Sequence, residues 1–221
     1  MRASDINKEV NEPFVIHKIA KKGYHSHMKI GIDIRTTCPP VAGKGWYTFY
    51  LVRELLKMDT KNEYILYTDA ITADAAAFAK AHIKIIQKHP LLWHFAVIKD
   101  FVREGGGLFF APTSFLVPAF LPRHVKSVVT VHDLVAFLHP HLHQTKATIL
   151  EQLFFRHALK KTSHVLVPSE NTKKDLMRVF HYKEEKIAVT PLAAGEEFDG
   201  TVGGERGIGK VALAGWDKLQ L

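Results

Sequence analysis

The 221-residue sequence has almost no cysteine and no long apolar run, and both shortages restrict what the protein can be. The single cysteine, Cys38, excludes a disulfide within the chain and fits a reducing compartment, so we expect a cytoplasmic protein. No apolar stretch approaches the roughly 18 residues that a membrane span requires. Residues 1–27 also lack the apolar centre of a secretory signal. The sequence therefore predicts a protein that neither crosses a membrane nor is secreted.

Negative charge is also in short supply. The chain has 30 lysines and arginines against 22 aspartates and glutamates, a formal net charge of +8. This excess favours an anionic partner, which could be a phosphorylated ligand, an anionic lipid or a nucleic acid. We expect no nucleic-acid partner, because no basic stripe is interleaved with aromatic residues and no nucleic-acid-binding motif is present. Basic pairs at residues 160–161 and 173–174 leave peripheral contact with a membrane surface, such as the inner face of the cell membrane, open.

What the sequence does contain is a regular alternation of short apolar runs and helical patterns. Strands are predicted at residues 29–34, 64–68, 83–86, 108–111, 128–132, 164–167 and 186–190. Helices are predicted at residues 47–58, 73–81, 91–103, 145–161 and 170–180. This order is typical of an α/β fold with a doubly wound, mostly parallel, Rossmann-like sheet.

Three finer predictions concern the connecting segments and helix faces. The Pro-rich stretch around Pro118 and Pro122 and the segment at residues 135–143 are predicted to be irregular. Ser169 is predicted to cap the last helix. In the long helix at residues 145–161, one face is expected to be buried, and it comprises Leu150, Leu153, Phe154 and Ala158.

We predict a single domain at residues 28–198. The strong strand pattern begins directly after Met28, and the preceding residues 1–27 are polar and weakly periodic, so we expect a poorly ordered extension. Residues 199–221 become Gly-rich and are expected to form an irregular tail that is too short for a second domain.

Polar residues follow the apolar run Val-Val-Thr-Val at residues 128–131, where His132 and Asp133 come next. In open parallel sheets, ligands bind beyond the carboxyl ends of the strands. A histidine at that position can donate a hydrogen bond to a hydroxyl or a phosphate near neutral pH. Alternatively, His132 and Asp133 could have a purely structural role, as hydrogen-bond partners of backbone groups in the loop. The stretch alone leaves both interpretations open.

A glycine-containing loop connects the first predicted strand to its helix. Its sequence is Ala-Gly-Lys-Gly at residues 42–45, and its backbone amides at a helix start could hold a phosphate. It is not a Walker loop, because Cys38 stands where that motif has its first glycine. It is not a dinucleotide-binding motif either, because Thr48 stands where that motif has its last glycine. A tight turn without a ligand explains these glycines about as well.

Alternating histidines follow the histidine–aspartate pair, namely His139, His141 and His143. In an extended segment they would share one face and could bind a metal ion. Their neighbours Pro140 and Leu142 supply no further ligand, so we expect a solvated loop and no metal site.

Five segments, taken in order, resemble the N-terminal domain of family 4 glycosyltransferases of GT-B architecture. They are Met-Lys-Ile-Gly-Ile-Asp-Ile-Arg at residues 28–35, Ala-Gly-Lys-Gly-Trp-Tyr-Thr at 42–48, Thr-Val-His-Asp-Leu at 130–134, Val-Pro-Ser-Glu-Asn-Thr-Lys-Lys-Asp-Leu at 167–176, and Lys-Ile-Ala-Val-Thr-Pro-Leu at 186–192 followed by Gly195 and Phe198. The resemblance extends over about residues 28–198, and five motifs in a fixed order are far more specific than any one of them.

The resemblance implies roles for individual residues. The glycine loop would face the diphosphate of a nucleotide-sugar donor, with Gly43, Lys44 and Gly45 as the binding residues. His132 would lie against the donor sugar near the reacting centre, and Asp133 would orient its loop, so these two are the expected catalytic residues. The main requirement in such a site is charge stabilisation on the departing diphosphate.

The resemblance also implies the substrates. The acceptor, a sugar or a lipid-linked molecule, is expected near Tyr47, Thr113 and Ser169. Family members transfer a sugar, such as a hexose or mannose, from a nucleotide donor with retention of configuration. They need no catalytic metal, so we expect no cofactor besides the nucleotide-sugar substrate.

The sequence departs from the family in one respect. Family members carry a second domain that binds the nucleotide, and the resemblance ends before such a domain, which suggests a chain truncated ahead of it. We therefore expect an enzyme half with little or no transfer activity by itself. Two other hypotheses remain: a non-catalytic binding module of the same fold, and an unrelated nucleotide-binding α/β domain.

Overall fold

The structure is a computed structural model that describes residues 27–138 and 146–192. Its centre is a seven-stranded sheet in the order β3-β2-β1-β4-β5-β6-β7, and every neighbouring pair is parallel. The strands are β1 Lys29–Asp33, β2 Glu63–Thr68, β3 His82–Ile85, β4 Leu108–Ala111, β5 Lys126–Thr130, β6 His164–Val167 and β7 Ile187–Val189. The predicted doubly wound, Rossmann-like α/β fold is confirmed.

Helices connect the strands. They are α1 Gly43–Met58, α2 Pro90–Arg103, α3 Leu116–Phe120, α4 Val135–Leu138, α5 Lys146–Lys161 and α6 Glu170–Phe180, with short 3₁₀ turns at Arg35–Thr37, Ala76–Phe78 and Glu184–Lys186. None of the helices within the described ranges is long and apolar enough to span a bilayer.

The chain reverses its direction across the sheet between β1 and β4. It first adds β2 and β3 on one side of β1, and then returns to add β4 and the remaining strands on the other side. At such a switch point the connections diverge, which leaves a crevice beyond the carboxyl ends of the strands. The loops that follow β1, β4 and β5 therefore meet at one edge of the sheet.

Apolar side chains cover both faces of the sheet, as the near-continuous apolar strands predict. On one face, α1 packs Phe49, Val52 and Leu55 against the sheet. On the other face, α2, α3, α5 and α6 supply the cover, including Trp93, Phe155 and other buried side chains. The strands are thereby held rigidly, and variation is confined to the loops at their ends.

Gly31 allows a very close contact between β1 and α2. A Cβ atom built there would lie 2.7 Å from the ring of Phe109 and 2.8 Å from that of Phe101. Gly31 thus lets the two rings pack directly on the strand, because no side chain intervenes.

Three predicted segments differ from the structure. The predicted helix at residues 73–81 contains only the 3₁₀ turn Ala76–Phe78. Phe78 is buried, but the alanines around it do not form a continuous apolar face that could pack on the core. High intrinsic helix propensity is insufficient without such a face, because short helices depend on tertiary packing.

The other two segments were predicted to be irregular and are helical. Pro118 is the third residue of α3, and the first turn of a helix tolerates proline because its missing N–H would have no partner within the helix. Val135–Leu138 forms α4, whose first amide, on Val135, donates to Asp133 Oδ1 at 3.1 Å. The rest of the second segment, residues 139–143, lies outside the described residues.

The predicted buried face of α5 was wrong for Leu153, which is 70% exposed. Ala158 is buried as predicted and Phe154 is half-buried, while Phe155 and Leu159 are buried in addition. The side chain of Leu150 lies outside the described part of the structure. Phe155 lies 4.7 Å from the rings of Phe115 and Phe137, ring centre to ring centre. This aromatic cluster, drawn from other elements, fixes the rotation of α5 about its axis, and periodicity within the helix could not reveal it.

Candidate active site

His132 lies two residues beyond β5, and one ring nitrogen is anchored. Its Nε2 atom is 2.9 Å from the carbonyl oxygen of Pro112, which follows β4. A carbonyl can only accept a hydrogen bond, so Nε2 carries the proton. In the neutral ring, Nδ1 is therefore the acceptor.

The surroundings of His132 favour that neutral ring. Burial lowers the pKa of His132 below its usual value, and the positive charge of Lys44 lowers it further. The hydrogen bond to Pro112 and the negative charge of Asp133 oppose this shift without cancelling it. At neutral pH the site therefore offers an unprotonated Nδ1.

Tyr47 of α1 supports the histidine ring from one side. The two rings meet edge to face, with their centres 4.8 Å apart. The Tyr47 hydroxyl is hydrogen-bonded to Thr130 Oγ1 at 3.1 Å and also to Thr190, and burial raises the pKa of Tyr47 to about 12. Because its hydroxyl is occupied by β5 and by the residue after β7, Tyr47 is fixed relative to His132.

The start of α1 faces the same region and has no side-chain cap. The N-cap residue, Ala42, has no side chain that could accept from the first amides, and the first turn contains no acidic residue. The amides of Gly43 and Lys44 have no hydrogen-bond acceptor within the described part of the chain. Unpaired amides together with the helix dipole favour an anion at this point.

The two glycines of this loop have different surroundings. A Cβ atom on Gly45 would lie 2.1 Å from the carbonyl oxygen of Thr36, whereas one on Gly43 would meet nothing within 4 Å. The Gly45 amide also donates to the Ala42 carbonyl oxygen at 2.7 Å. Gly45 is therefore required by packing of the loop, and Gly43 is the glycine that leaves open space.

The start of α6 approaches His132 from another direction. As predicted, Ser169 is the N-cap, and its Oγ accepts from the Thr172 amide at 3.2 Å. Thr172 in turn donates through Oγ1 to the carbonyl oxygen of His132 at 3.4 Å. Ser169 is exposed, but its hydroxyl is already used in capping and holds the helix start that supports His132.

The other two predicted residues lie in the same loops. Asp133 is exposed and accepts from the Val135 amide, so it shapes the loop after His132. Thr113 directly follows Pro112 and is half-buried. All eight predicted site residues therefore belong to loops or helix starts at the carboxyl edge of the sheet.

An ion pair between buried Asp33 and half-buried Arg35, at the end of β1, escaped the sequence analysis. Asp33 accepts from Arg35 Nε at 3.0 Å and from Nη2 at 2.7 Å. The guanidinium lies 3.7 Å from the ring centre of Trp93, and Nη2 is 3.1 Å from His94 Nε2. This network ties the loop after β1 to α2 and so stabilises one wall of the crevice.

Other residues that escaped the sequence analysis are Thr130, Thr190 and the Pro112 carbonyl. Each lies at or just beyond the carboxyl end of a strand, so their position alone could have drawn attention to them. Their pairing with Tyr47 and His132 could not be predicted, because it joins residues far apart in sequence.

No group of three or more histidine, cysteine, aspartate or glutamate residues within the described ranges could hold a metal ion. The histidines for which a metal was weighed, at positions 139, 141 and 143, lie outside those ranges.

The sequence matches the profile of Glycosyltransferase Family 4 over residues 41–194, which is more than half of the chain. The chain belongs to glycosyltransferase family 4. This confirms the resemblance drawn from the motifs, and the matched region contains the α1 start, His132 and the α6 start. No protein of curated function matches the sequence at a significant level.

Three solved structures are similar to this chain at low sequence identity. A protein assigned as a UDP-N-acetylglucosamine 2-epimerase from Listeria monocytogenes superimposes with a TM-score of 0.53 and 13% identity, over 75% of this chain and 45% of its own. A glycosyltransferase from Rickettsia africae ESF-5 has a TM-score of 0.49 and 10% identity, over 78% and 44% of the two chains. The lipopolysaccharide outer core galactosyltransferase WaaB, in its apo form, has a TM-score of 0.49 and 12% identity, over 76% and 46%. This family 4 chain spans less than half the length of each.

Proposed function

We propose that this chain forms the acceptor-side half of a retaining, nucleotide-sugar-dependent glycosyltransferase, and that it transfers little or no sugar by itself. The observation that carries the proposal is the placement of the uncapped α1 start beside His132, with Lys44 close enough for its charge to lower the histidine pKa. Membership of glycosyltransferase family 4 supports the same conclusion.

The two parts of this site suit two parts of a nucleotide sugar. In the reaction, the bond between the anomeric carbon and the diphosphate would break, a bond to the acceptor oxygen would form, and the proton of the acceptor hydroxyl would pass to the departing diphosphate. Negative charge grows on the departing diphosphate, where the Gly43 and Lys44 amides, the α1 dipole and the Lys44 ammonium would stabilise it. The donor nucleotide itself would be held by a second domain.

His132 would serve the sugar rather than the diphosphate. Its Nε2 proton is committed to Pro112, so Nδ1 can accept a hydrogen bond from a sugar hydroxyl but cannot donate one to a phosphate. Tyr47 would keep the ring in place through their edge-to-face contact. We assign the acceptor to the side of Thr113 and Ser169, in a cytoplasmic enzyme that transfers a hexose such as mannose without a cofactor.

Transfer assays can test the division of labour between the two halves. The purified 221-residue chain is incubated with a panel of nucleotide sugars, and so is a chimera that adds the second domain of another family 4 enzyme. We expect turnover only from the chimera, because its added domain encloses the donor and excludes water. Robust turnover by the chain alone would refute its proposed dependence on a second domain.

Paired substitutions in the active chimera test the role of His132. His132→Asn keeps an acceptor near the Nδ1 position, whereas His132→Gln keeps a donor near Nε2 and loses that acceptor. We expect His132→Ala to lower kcat by about 100-fold, a typical loss for one polar contact at a reacting centre. Asn should retain more activity than Gln, and the reverse order would contradict acceptance at Nδ1.

A further inference from the structure

The guanidinium of Arg35 is constrained from several sides at the carboxyl edge of the sheet. Its Nε and Nη2 atoms donate to the two carboxylate oxygens of Asp33 at 3.0 and 2.7 Å, and its central carbon lies 3.7 Å from the ring centre of Trp93. Nη2 also donates to Nε2 of His94 at 3.1 Å, because a guanidinium has no acceptor. A bidentate pair and a stacked ring together define both the position and the orientation of this group.

The partners of Arg35 are themselves fixed. Asp33 is the last residue of β1 and is 2% exposed. Trp93 is 1% exposed and donates through Nε1 to the carbonyl oxygen of Thr68, the last residue of β2, at 3.4 Å. Trp93 belongs to α2, which covers the face of the sheet opposite to α1. Arg35 is therefore held by two strand ends and by a helix of the other layer.

The 3₁₀ turn Arg35–Thr37 has further anchors. Thr37 is buried, and its Oγ1 donates to the carbonyl oxygen of Ile34 at 2.8 Å. Its own carbonyl oxygen accepts from the amide of Ala73, in the loop after β2, at 3.1 Å. The side chain of Arg35 fixes one end of the turn and these bonds fix the other, so the whole turn has a defined position.

The first turn of α1 rests on this 3₁₀ turn. Gly45 packs so closely on the carbonyl oxygen of Thr36 that no Cβ atom would fit between them. Thr36 Oγ1 donates to Thr48 Oγ1 at 3.3 Å, and Thr48 Oγ1 donates to the carbonyl oxygen of Lys44 at 2.9 Å. A continuous set of contacts therefore leads from the turn to the backbone of Lys44, whose amide belongs to the uncapped helix start.

The geometry favours an indirect role for Arg35 over direct binding of an anion. Two of its donor atoms, Nε and Nη2, are committed to Asp33 and His94. Its charge is offset by the carboxylate of Asp33, and only 21% of its side chain is exposed. What Arg35 transmits to α1 is accordingly position and not charge.

We propose that Arg35 is a positioning residue: it fixes the 3₁₀ turn that supports the first turn of α1, and so holds the Gly43 and Lys44 amides in place for an anionic ligand that it does not itself contact. The role rests on the proposed function, because it concerns the same anion site. Donors that are already in place bind more strongly, since no ordering of the loop has to accompany binding.

Titration calorimetry of the 221-residue chain with pyrophosphate tests the role. Arg35→Lys keeps the positive charge but loses the bidentate pair and the planar stack. We expect pyrophosphate to bind about five- to ten-fold more weakly to Arg35→Lys, and about as weakly to Arg35→Ala. Wild-type affinity in Arg35→Lys would overturn the proposal, whether or not Arg35→Ala binds more weakly, because the charge alone would then suffice.

A second variant tests the route through the turn. Thr36→Val keeps the shape of the side chain and removes the hydroxyl that contacts Thr48, while Arg35 is unchanged. We expect a loss of affinity of about two- to three-fold. In the double variant with Arg35→Lys, the loss should not exceed that of Arg35→Lys alone, because both changes act through one turn. Independent, multiplying losses would rule out this route.

Two controls separate position from stability. Arg103→Lys makes the same change in another arginine–aspartate pair, with Asp100, at the far end of α2. Tyr64→Phe removes the hydrogen bond to Asp59 at 2.7 Å, beyond the last turn of α1, and so lowers stability away from the anion site. Circular dichroism shows which variants are folded at the temperature of the titration.

Both controls should bind pyrophosphate as the wild type does. If Tyr64→Phe lost as much affinity as Arg35→Lys, reduced stability would explain both losses and the positioning role would be wrong. A folded wild type that does not bind pyrophosphate would refute the proposed anion site, and this role with it. Wild-type binding that Arg35→Lys leaves unchanged would overturn the positioning role alone.

Discussion

Two helices of this protein begin at the same edge of the sheet and beside the same histidine, yet their first turns differ in chemistry. The α6 start is satisfied from within: Ser169 caps it, and Glu170 places a negative charge in its first turn. The α1 start has alanine as its N-cap, no acid in its first turn, and Lys44 as its second residue. Because no residue of α1 neutralises the positive end of its dipole, an anionic ligand would be stabilised more strongly at the α1 start than at the α6 start.

Polar groups at the two helix starts also have different roles. Around α6, polar groups bind each other and so fix the backbone at His132 through Thr172. Around α1, the amides of Gly43 and Lys44 and the open space at Gly43 remain for a ligand. One helix start positions the site, and under the proposed function the other would bind the anionic part of the ligand.

The largest effect is expected at Gly45. A Gly45→Ala change places a Cβ atom 2.1 Å from the Thr36 carbonyl oxygen, so the loop must move. We expect a loss of about 2–3 kcal/mol in the free energy of unfolding, measured by urea denaturation. Gly43→Ala is the matched control, because it meets nothing within 4 Å, and its stability should stay within about 0.5 kcal/mol of the wild type. Similar losses for both variants would show that the two glycines do not differ in role.

A second change gives α1 the kind of cap that α6 already has. Ala42→Asp adds an acceptor for the free amides and a negative charge at the helix start, and Ala42 is exposed, so there is room for it. We expect a gain of about 0.5–1 kcal/mol in the free energy of unfolding. Pyrophosphate, titrated calorimetrically, should bind several-fold more weakly because the added carboxylate occupies its place.

Ser169→Ala makes the reverse change at α6 and serves as the control. It removes the cap and should cost about 1 kcal/mol of stability. Pyrophosphate affinity should not change, since that helix start is already satisfied by its own residues. If both substitutions altered pyrophosphate binding equally, the contrast between the two helix starts would be refuted.

The smallest effect concerns pH and the histidine that both helices flank. Because the pKa of His132 in the folded protein lies below its usual value of 6.5, the unfolded chain takes up the proton first as pH falls. Folding stability should therefore drop below about pH 6.5, and this contribution should be fully lost once pH passes below the folded-state pKa.

Urea denaturation of the wild type and of His132→Gln, compared between about pH 8 and about pH 5, isolates that contribution. Carboxylates with lowered pKa values, such as Asp59 and Asp100, keep their contribution over this range, because it is lost only as pH falls below about 5. Taking the difference between the two proteins removes any other group that titrates in both. The wild type should lose more stability on acidification than the variant. Parallel curves would mean that His132 is not held neutral by its surroundings.

The order of strands and helices was open to prediction because each signal is local. Residues 108–111 and 164–167 are buried at every position, and all of them except His164 are apolar, as is typical of parallel strands covered on both faces. The Ser169 cap was predictable for the same reason, since the cap and its amide are three residues apart. The motifs at α1, β5 and α6 likewise carried the family resemblance within short stretches.

Features that join distant segments were decided only by the tertiary structure. The tautomer of His132 depends on a carbonyl twenty residues earlier, and the support from Tyr47 depends on residues of β5 and beyond β7. The rotation of α5, which exposes Leu153 and buries Phe155, depends on aromatic rings of other elements. Sequence periodicity states that a helix has an apolar side, but which side meets the core is set by the neighbours that close packing brings to it.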